Sequence, residues 1–518
     1  MFSLLVFFLY FFSEEDSVPQ KKRRGGRAPA VDRKWLKKDL CSAPSDWNAD
    51  MPAFLQRDMT PAYIFDLFFD DEVINFTVTM TNLYAMQRGK PTFSVTADEI
   101  RGVLAILLLS GYVQLPSRRM FWENSDDVHN PAVSSIMSVN RFEEILRYLH
   151  FADNKNLAAG DKMAKIRPLY CRLNERFLLF WPPEQDLDVD ESMIPYYGKH
   201  SAKQFIKGKP IRFGFKLWCL NTRLGYLVQC EPYQGGGTQI DSDLGLGGSV
   251  VVDLLSELPS RNYVIYIDNY FTSLKLLQKL KGDGIACTGT VRANRVEKAP
   301  LTPVEKMKKE ERGSYDYRTD VNTGLVVVRW NDNSVVTVAS NYHGVNPISS
   351  ARRWSAAKKS EITITQPNLI NKYNYGMGGT DRMDQNVSQY RIGVRSKKWW
   401  WPLFAFLPDV VIQNAWHIYR KSPAAEHQPL NLLQFRRAIV HSYVMKYRSR
   451  LDIGRPVGRS RPLDERLPTD VRYDGIHHYI DPITTQRRCA LCGMKVKTVC
   501  CKCAVPLHDR CFRQFHCK

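Results

Sequence analysis

A change of pattern near residue 186 is the feature that most constrains how this 518-residue chain can fold. From "LDVDESM" onward, short runs of β-branched and aromatic residues are separated by Gly, Pro and Asn, a pattern typical of strands joined by turns. Two helix-like segments, "GLGGSVVVDLLSEL" and "SLKLLQKLKGDG", then enclose the strand-like run "NYVIYID". Strands first, followed by helices that alternate with strands, predict a mixed α/β sheet.

The segments on both sides of this region have helical patterns. Thr60 and Pro61 form a typical helix start, and Thr96 with Glu99 has the spacing of a capping box. These signals predict a mostly helical stretch from about 60 to 180, and helix returns in "WWWPLFAFLPDVVIQNAWHIYR". A basic, strand-rich stretch precedes that second helical part, with a hairpin predicted around "NDNS".

The chain starts with an apolar run and continues with a basic cluster. "MFSLLVFFLYFF" spans residues 1–12, whereas a membrane-spanning helix needs roughly 20 apolar residues. The run also lacks the basic leader and the cleavage site of a signal peptide. We interpret it as a non-structural start, with a membrane anchor as the alternative. The cluster "KKRRGGR" (21–27) suits a nuclear localisation signal, although a solvated tail has the same composition.

The overall charge indicates the kind of partner. The chain has a net charge of +20, from 73 Lys and Arg against 53 Asp and Glu, which favours polyanions such as nucleic acid. A hydrophobic content of 44% is ordinary for a globular protein, so the charge says more about partners than about the fold. The alternative is that the charge serves solubility alone.

Acidic residues stand at the edges of three apolar or glycine-rich elements. Asp190 lies in the alternating run "LDVDESM", Asp268 ends the run "YVIYI", and Asp381 and Asp384 follow a Gly pair in "GGTDRMDQ". Residues spaced i and i+3 share one helical face. The ordinary alternatives are a turn for Asp268, a helix cap for Asp381 and an ion pair for Asp190. Paired carboxylates acting on a sugar suit the chain less, because adjacent Asp190 and Glu191 point to opposite faces of a strand.

Phosphoryl transfer on DNA is the chemistry that fits these acids and their surroundings. Two divalent ions about 4 Å apart clamp the attacking and leaving oxygens, and Mg²⁺ needs few carboxylates because it keeps several waters. Basic residues interleaved with aromatic rings, which suit a nucleic-acid strand, lie near the acids in sequence. The predicted DNA-binding residues of this kind are Lys199, Lys203, Lys207, Lys209, Arg212, Arg395, Lys397 and Lys398. Hydrophobic packing stays open as the alternative for Trp399 and Trp400.

Seven of the 12 cysteines lie in the last thirty residues, whereas the others are scattered, which favours a reducing compartment and one metal-bound module. "CALCGMKVKTVCCKCAVPLHDRCFRQFHCK" has strong zinc spacing, and a tail this short needs metal to supply its folding free energy. Two tetrahedral Zn²⁺ sites need eight ligands. The predicted first site is Cys489, Cys492, His508 and Cys511. The predicted second site is Cys500, Cys503, His516 and Cys517, with Cys501 left over.

Three blocks in order, "DESM…GKHSAKQFIKGKP…FGFK", "DNYFTSLKLLQKL…GTVRANR" and "YNYGMGGTDRMDQ", resemble the piggyBac-type transposases and their domesticated relatives in animal genomes. The resemblance runs from about Thr60 to the end of the chain. It implies an RNase H-like fold in which Asp190, Asp268 and Asp381 match the catalytic Asp triad. Asp384 matches a fourth, supporting Asp, and Trp401 matches a Trp of the helical region that we count among the DNA-binding residues.

The resemblance also implies an activity. Similar proteins are DDD-type, Mg²⁺- or Mn²⁺-dependent transposases that cut double-stranded DNA at TTAA, pass through hairpin ends and rejoin it. We therefore expect a nuclear homodimer that acts on transposon ends and TTAA targets, with no membrane and no small-molecule substrate. A domesticated protein that binds DNA or chromatin without moving it is the alternative. In the family a similar cysteine-rich domain binds transposon-end DNA, and the alternative is protein binding, which such cross-brace folds also perform.

The resemblance and the patterns together predict a division of the chain. The parts are a disordered basic N-terminal region (1–55), a helical dimerisation and DNA-binding domain (56–185), the first part of the RNase H-like core (186–292), a β-rich insertion domain (293–365), the second part of the core (366–390), the second part of the helical domain (391–475) and a zinc-binding domain (486–518).

Overall fold

The computed structural model describes residues 32–40, 47, 49–207, 209–236, 238, 240–259, 261–448, 472–473, 475 and 478–517. The apolar start, the basic cluster and most of the stretch joining the helical part to the cysteine-rich tail lie outside these residues. The chain divides into two compact units, residues 1–450 and 451–518. None of the helices formed by the described residues is both long and apolar enough to cross a membrane.

The first unit contains helices on both sides of the strand-rich region. They are α1 (Pro61–Asp66), α2 (Asp71–Gln87), α3 (Ala97–Ser110), α4 (Pro131–Ile136), α5 (Val139–Tyr148), α6 (Arg167–Leu179), α7 (Gly245–Ser256), α8 (Leu274–Gly282), α9 (Val304–Met307), α10 (Asn368–Gly376), α11 (Gly379–Gln389), α12 (Trp401–Tyr419), α13 (Pro423–His427) and α14 (Leu432–Tyr447). Both predicted helix starts are confirmed. Thr60 accepts a hydrogen bond from the N–H of Tyr63, and Thr96 and Glu99 form a capping box.

The strands of the first unit are β1 (Trp35–Leu36), β2 (Asp186–Pro195), β3 (Gln204–Phe205), β4 (Phe213–Thr222), β5 (Leu227–Pro232), β6 (Val264–Ile267), β7 (Ala286–Thr290), β8 (Tyr315–Asp320), β9 (Leu325–Asn331), β10 (Val335–Ser340), β11 (Ser349–Ser355) and β12 (Ser360–Gln366). In the described residues, β1 to β10 form one mixed sheet in the order β1-β8-β9-β10-β7-β6-β2-β4-β3, with β5 also paired to β4. The predicted mixed sheet with helices is confirmed.

The centre of this sheet is parallel and its two sides are antiparallel. β2 runs parallel to β6 and β6 runs parallel to β7, whereas β4 lies antiparallel to β2 and β10 lies antiparallel to β7. All four residues of β6 are buried, as expected for a parallel strand that is covered on both faces. Asp268 follows the end of β6, and Asp190 lies on β2 directly beyond the last residue that pairs with β6, so both stand beside this buried layer.

The structure differs from the predicted disorder at the N-terminus. Trp35 and Leu36 pair with β8, and the N–H of Lys34 donates to the carboxylate of Asp320 at 2.9 Å. The guanidinium of Arg33 lies 3.0 Å from the same carboxylate. Residues 32–40 are thus ordered by strand pairing with a segment almost 300 residues away, a contact that the local composition does not reveal.

The stretch predicted as an insertion, residues 293–365, divides into two parts in the structure. β8, β9 and β10 continue the central sheet beyond β7, and the hairpin predicted around "NDNS" is confirmed as β9 and β10. β11 and β12 form a separate two-stranded ribbon. The identity of this stretch as an inserted domain stays a prediction.

The second unit is small and built around its cysteines. Its elements are β13 (Ile480–Arg488), β14 (Lys495–Cys500) and α15 (Asp509–His516), with β13 and β14 antiparallel. The buried hydrophobic cluster consists of Val496, Leu507 and Phe515 together with cysteines. Such a core is small for a stable fold without a metal, as expected for a metal-binding module.

Candidate functional site

Asp190 and Asp268 occupy equivalent positions next to the last pair of the neighbouring parallel strands β2 and β6. Val189 of β2 pairs with Ile267 of β6, and Asp190 and Asp268 come directly after this pair. Adjacent strands lie about 4.8 Å apart and side chains alternate between faces, so the two carboxylates occupy the same face of the sheet. Asp268 also accepts a hydrogen bond from the N–H of Tyr270 at 2.8 Å, so it combines a turn role with a place at the strand end.

Helix α11 brings the remaining predicted acids, Asp381 and Asp384, close to Asp190 and Asp268. We call this group of four acids at the end of β6 the acidic edge. It begins after Gly378, which adopts the left-handed conformation at φ 101°. A Cβ on Gly379 would overlap with a side-chain oxygen of β2 and a backbone oxygen of β4, so only glycine allows the helix to approach this closely. Asp381 lies in the first turn of α11 and is exposed. One turn later, Asp384 accepts a hydrogen bond from the hydroxyl of Ser192 on β2 at 2.6 Å.

Burial and repulsion by neighbouring carboxylates raise the pKa of Asp190, Asp268 and Asp384. Burial raises the pKa of Asp190 well above its usual value, and the nearby carboxylates of Glu191, Asp268 and Asp381 raise it further. Burial also raises the pKa of Asp268 to about 6 and that of Asp384 to about 6. The site therefore concentrates acidic oxygens where their charge is poorly solvated, which favours a compensating cation.

The donor set fits a hard divalent cation such as Mg²⁺ or Mn²⁺, which prefers carboxylate oxygens. In the part of the chain that the structure describes, however, no three carboxylates lie within 4.8 Å of one another. Oxygens that share one Mg²⁺ at about 2.1 Å are at most roughly 4.2 Å apart. The arrangement therefore suits ions held by one or two carboxylates each, with water or phosphate oxygens completing the shell.

Two lysines supply positive charge beside the acids. The ammonium of Lys209 lies 3.5 Å from the carboxylate of Glu191, and that of Lys216 lies 3.6 Å from it. Lys216 also lies over the ring of Trp218, with its nitrogen 3.8 Å from the ring centroid. Glu191 and Lys216 were not among the predicted site residues, and the pattern "DES" was the available signal for the first.

Asp188 is a further buried acid that the predicted set omits. It is fully buried on β2 and accepts a hydrogen bond from the N–H of Thr380 at 3.1 Å. The hydroxyl of Thr380 donates to the side-chain carbonyl of Asn221 on β4 at 3.1 Å. These contacts dock the first turn of α11 onto the sheet. The alternation of acids in "DLDVDE" was the signal for Asp188, because residues at i and i+2 share a strand face.

The predicted DNA-binding lysines and arginines fall into two groups. Most of them are exposed or half-buried on loops, and Lys209 lies beside the acids. These residues are Lys199, Lys203, Lys207, Lys209, Arg212, Arg395 and Lys397. A charged, accessible surface of this kind suits a phosphate backbone.

Lys398 and Trp401 belong to the second group, because the structure gives their side chains internal contacts, while their role in DNA binding stays a prediction. The ammonium of Lys398 donates to the carbonyl oxygens of Leu146 and Leu149 at 2.9 and 2.8 Å, at the end of α5. Burial lowers the pKa of Lys398 to about 7. Trp401 is 3% exposed, and its indole N–H donates to the carbonyl of Val394 at 2.8 Å. Both side chains satisfy local helix ends and the core, which a basic-aromatic pattern cannot distinguish from a surface.

The cysteine-rich unit brings together two groups of metal-ligating side chains among the described residues. The first is the predicted set Cys489, Cys492, His508 and Cys511, whose ligand atoms all lie within 4.8 Å of one another. The Nδ1 atom of His508 lies 3.3 Å from the sulfur of Cys492, and its Nε2–H donates to the carbonyl of Lys495 at 3.1 Å. That second hydrogen bond leaves Nδ1 as the metal-facing nitrogen.

Thiolate formation at Cys489 is favoured by the backbone. Burial opposes ionisation of Cys489, but the N–H groups of Cys492, His508 and Leu491 stabilise its thiolate and lower its pKa to about 6. Metals such as zinc bind the thiolate form of cysteine, so the lowered pKa of Cys489 favours this residue as a metal ligand.

The second group corrects the predicted ligand set. His478 lies with Cys500, Cys503 and His516 within the same 4.8 Å limit, whereas Cys517 is not in the group. The Nδ1 atom of His478 lies 3.3 Å from the sulfur of Cys500 and 3.4 Å from that of Cys503. Cys517 directly follows the last residue of α15 and is exposed, whereas its neighbour His516 is buried. The fourth ligand therefore comes from before β13, outside the cysteine-rich motif.

Comparison with known proteins places these features in context. Residues 60–416 match a family model described as Transposase IS4. The chain is 41% identical over 511 residues to human PiggyBac transposable element-derived protein 3, covering 98% of this chain and 84% of that protein. It is 40% identical over 505 residues to human PiggyBac transposable element-derived protein 2, covering 96% and 83%.

A solved structure shares the fold. The cryo-EM structure of a piggyBac transposase synaptic complex with hairpin DNA superposes with a TM-score of 0.66. The similarity covers 89% of this chain and 99% of the other, at 19% sequence identity. At this identity the likeness concerns the fold alone.

Proposed function

The chain belongs to the family of piggyBac-type transposases and their transposable element-derived relatives, and we propose that it cuts and rejoins double-stranded DNA at TTAA sequences in a metal-dependent reaction. The observation that carries this proposal is the acidic edge of the sheet. Asp190 and Asp268 stand at adjacent parallel strands, and α11 presents Asp381 and Asp384 beside them.

The proposed catalytic core is RNase H-like. β5, β4 and β2 lie side by side and antiparallel, followed by the parallel strands β6 and β7. This sheet and α11 support a core made of residues 186–292 and 366–390. The flanking helical parts, 56–185 and 391–475, form the proposed dimerisation and DNA-binding domain, and residues 293–365 form the insertion.

In the proposed reaction Asp190, Asp268 and Asp381 hold two Mg²⁺ or Mn²⁺ ions. When bound, such ions activate a water or a 3′-hydroxyl and stabilise the charge on the leaving oxygen. Asp384 is a positioning residue, because its bond to Ser192 fixes α11 on the strand that carries Asp190. The exposed lysines and arginines near the edge hold the phosphate backbone and so orient the scissile bond.

The second unit is proposed to hold two Zn²⁺ ions and to bind the ends of the DNA element. Its eight ligand positions and small core support a metal-dependent fold. The basic residues of the chain and the comparison complex with DNA support DNA as the partner. The working form that we propose is a nuclear homodimer.

A second candidate function is DNA or chromatin binding without strand cleavage. The names of the human relatives, both described as transposable element-derived proteins, favour this alternative. It predicts DNA binding that does not depend on the acidic edge, whereas the leading proposal requires that edge.

The test is cleavage of supercoiled DNA carrying TTAA sites by purified protein, with Mg²⁺ or Mn²⁺ or with chelator. The Asp268→Asn variant removes one charge at the edge, and Asp126→Asn serves as a matched control at an exposed turn. Metal-dependent cutting at TTAA by wild type and Asp126→Asn, lost in Asp268→Asn, supports the transposase. DNA binding by all three proteins with no cutting of either TTAA plasmid or element ends supports the second candidate.

A further inference from the structure

The connection between β2 and β4 forms an arm that extends past the acidic edge. We call residues 196–213 the aromatic arm. β2 and β4 stay paired as far as Pro195 and Gly214, although β6 ends opposite Val189. Within the arm β3 pairs with β4, and next to this pairing the N–H of Ile206 donates to the carbonyl of Arg212 at 2.9 Å.

Two aromatic rings are presented to solvent on this arm. Phe205 and Phe213 are directly opposite each other on β3 and β4, with ring centroids 4.8 Å apart. Phe205 is 56% exposed and Phe213 is 43% exposed. Exposing two adjacent phenylalanine side chains forgoes the burial that normally stabilises them, so their faces are available to a ligand.

The charge of the arm defines the chemistry of that ligand. Residues 196–213 contain no Asp or Glu and five Lys or Arg. The ammonium of Lys203 lies 5.9 Å from the ring centroid of Phe213, and Lys207 and Arg212 are exposed beside the two rings. Cations flanking an exposed aromatic pair, whose rings are tilted by 37° to each other, match a nucleotide, with phosphate on the cations and base on the rings.

The base of the arm is fixed, so the rings have a defined position. His200 stacks on Trp399 with ring centroids 4.2 Å apart, and Tyr196 stacks on Phe215 at 4.8 Å. The N–H of Tyr196 donates to the carbonyl of Phe213 at 3.1 Å. A rigid platform loses little conformational entropy when a base stacks on it.

The distance between the two exposed rings and Asp190 determines which nucleotide of a bound DNA strand could stack on the rings. Gly214, next to Phe213, pairs with Pro195, which is five residues beyond Asp190 on β2. At about 3.3 Å per residue this separation is roughly 17 Å along the strand. A stacked DNA strand advances about 3.4 Å per nucleotide, so roughly five nucleotides span it, and fewer do when the strand is extended.

We propose that Phe205 and Phe213 form a stacking platform for an unpaired base of the DNA strand, within about five nucleotides of the cleaved phosphate. The inference rests on the proposed function, since it takes DNA as the substrate of the acidic edge. In a duplex the faces of the bases are already stacked, so only an unpaired or displaced nucleotide can occupy the platform.

The test compares blunt TTAA-containing duplexes with duplexes that carry a five-nucleotide single-stranded overhang. The overhang has 2-aminopurine, whose fluorescence is quenched by stacking, at one position at a time. We expect wild type to quench one or two of these positions and to bind the overhang more tightly than the blunt end. Phe205→Ala/Phe213→Ala should lose the quenching and weaken overhang binding roughly tenfold, with blunt-end binding unchanged.

A conservative variant separates stacking from folding. Phe205→Tyr/Phe213→Tyr keeps both ring faces and should retain quenching and overhang affinity. Equal overhang affinity and quenching in wild type and the Ala variant would overturn the platform while leaving DNA binding intact. Weaker self-association of the Ala variant, with DNA binding unchanged, would instead assign the rings to an interface between copies. Failure of wild type to bind any of these DNAs would overturn the proposed function itself.

Discussion

Asp188 is fully buried, and burying its ionised carboxylate costs free energy that the hydrogen bond from the N–H of Thr380 offsets only in part. Burial raises its pKa to about 7, although the N–H of Thr380 opposes this shift. An unfolded aspartate titrates near 4, so the unfolded chain releases this proton at lower pH than the folded chain does. The contribution of Asp188 to the free energy of unfolding therefore falls as pH rises from about 4 to 7.

Replacing Asp188 by Asn should remove this pH dependence, because Asn does not titrate. The side-chain carbonyl of Asn can still accept the hydrogen bond from the N–H of Thr380. Without divalent metal, we expect Asp188→Asn to be more stable than wild type at pH 8 by up to roughly 4 kcal/mol. The difference should vanish near pH 4. Thermal unfolding midpoints between pH 4 and 8 measure it. A constant difference across this range would contradict the assigned cause, and Asp188→Ala, which leaves the N–H of Thr380 unpaired, should be less stable than Asp188→Asn throughout.

Adjacent lysines 397 and 398 should respond differently to the same substitution. Lys398→Met leaves the carbonyls of Leu146 and Leu149 without their donor, so we expect a loss of about 1–3 kcal/mol in the free energy of unfolding. The exposed Lys397 should tolerate Met without a change in stability, and if it contacts phosphate the salt slope of DNA binding should fall by about one. Urea unfolding and binding titrations at several salt concentrations distinguish the two outcomes. An unstable Lys397→Met with a stable Lys398→Met would reverse the assignment.

At this scale the sequence identifies chemistry better than burial. The acids of "DESM", "IDN" and "GGTDRMD" could be predicted as site candidates, because Asp268 and Asp381 stand where an element ends or starts and Asp190 lies in a strand of alternating apolar and acidic residues. Lys398 and Trp401 could not be separated from true surface residues, since their environment depends on α5 and on the chain before α12. Asp188 was missed because a buried acid between two apolar residues resembles ordinary strand alternation.

At the scale of elements, helix starts can be predicted from neighbouring residues, whereas the pairing of strands far apart in the sequence cannot. The starts of α1 and α3 were predictable because their caps are formed within four residues. The pairing of β1 with β8 was not, because it joins segments nearly 300 residues apart and β1 has only two residues. The same holds for β8 to β10, which join the central sheet only through the pairing of β10 with β7.

The second unit makes an element-scale prediction about zinc. His478 precedes β13, whereas Cys517 follows α15, so the two candidates for the fourth ligand lie at opposite ends of the module. We expect wild type to hold two Zn²⁺ per chain and His478→Ala to hold one or to lose the second readily to chelator. Cys517→Ser should keep both. Elemental analysis after dialysis measures the stoichiometry, and loss of one ion in Cys517→Ser alone would restore the ligand set predicted from spacing.

At the scale of the whole molecule, the boundary between residues 450 and 451 divides the chain into two independently packed units. Residues 451–518 carry 13 Lys or Arg against 7 Asp or Glu, so the small unit holds a net positive charge of its own. Because each unit has its own buried cluster, removing the second unit should lower the DNA affinity without lowering the stability of the first unit.

A protein ending at residue 450 should therefore keep the main thermal transition of the full chain, bind no Zn²⁺ and retain the acidic edge. Its DNA affinity should be weaker and less dependent on salt, because fewer cationic side chains displace counterions from phosphate. Scanning calorimetry and binding titrations at several salt concentrations, with Cys489→Ser/Cys500→Ser in the full chain as a matched loss of metal, measure both effects. A large fall in the main transition would show that the tail supports the fold of the first unit. An unchanged salt slope would exclude the tail from DNA binding and leave the first unit as the sole DNA-binding part.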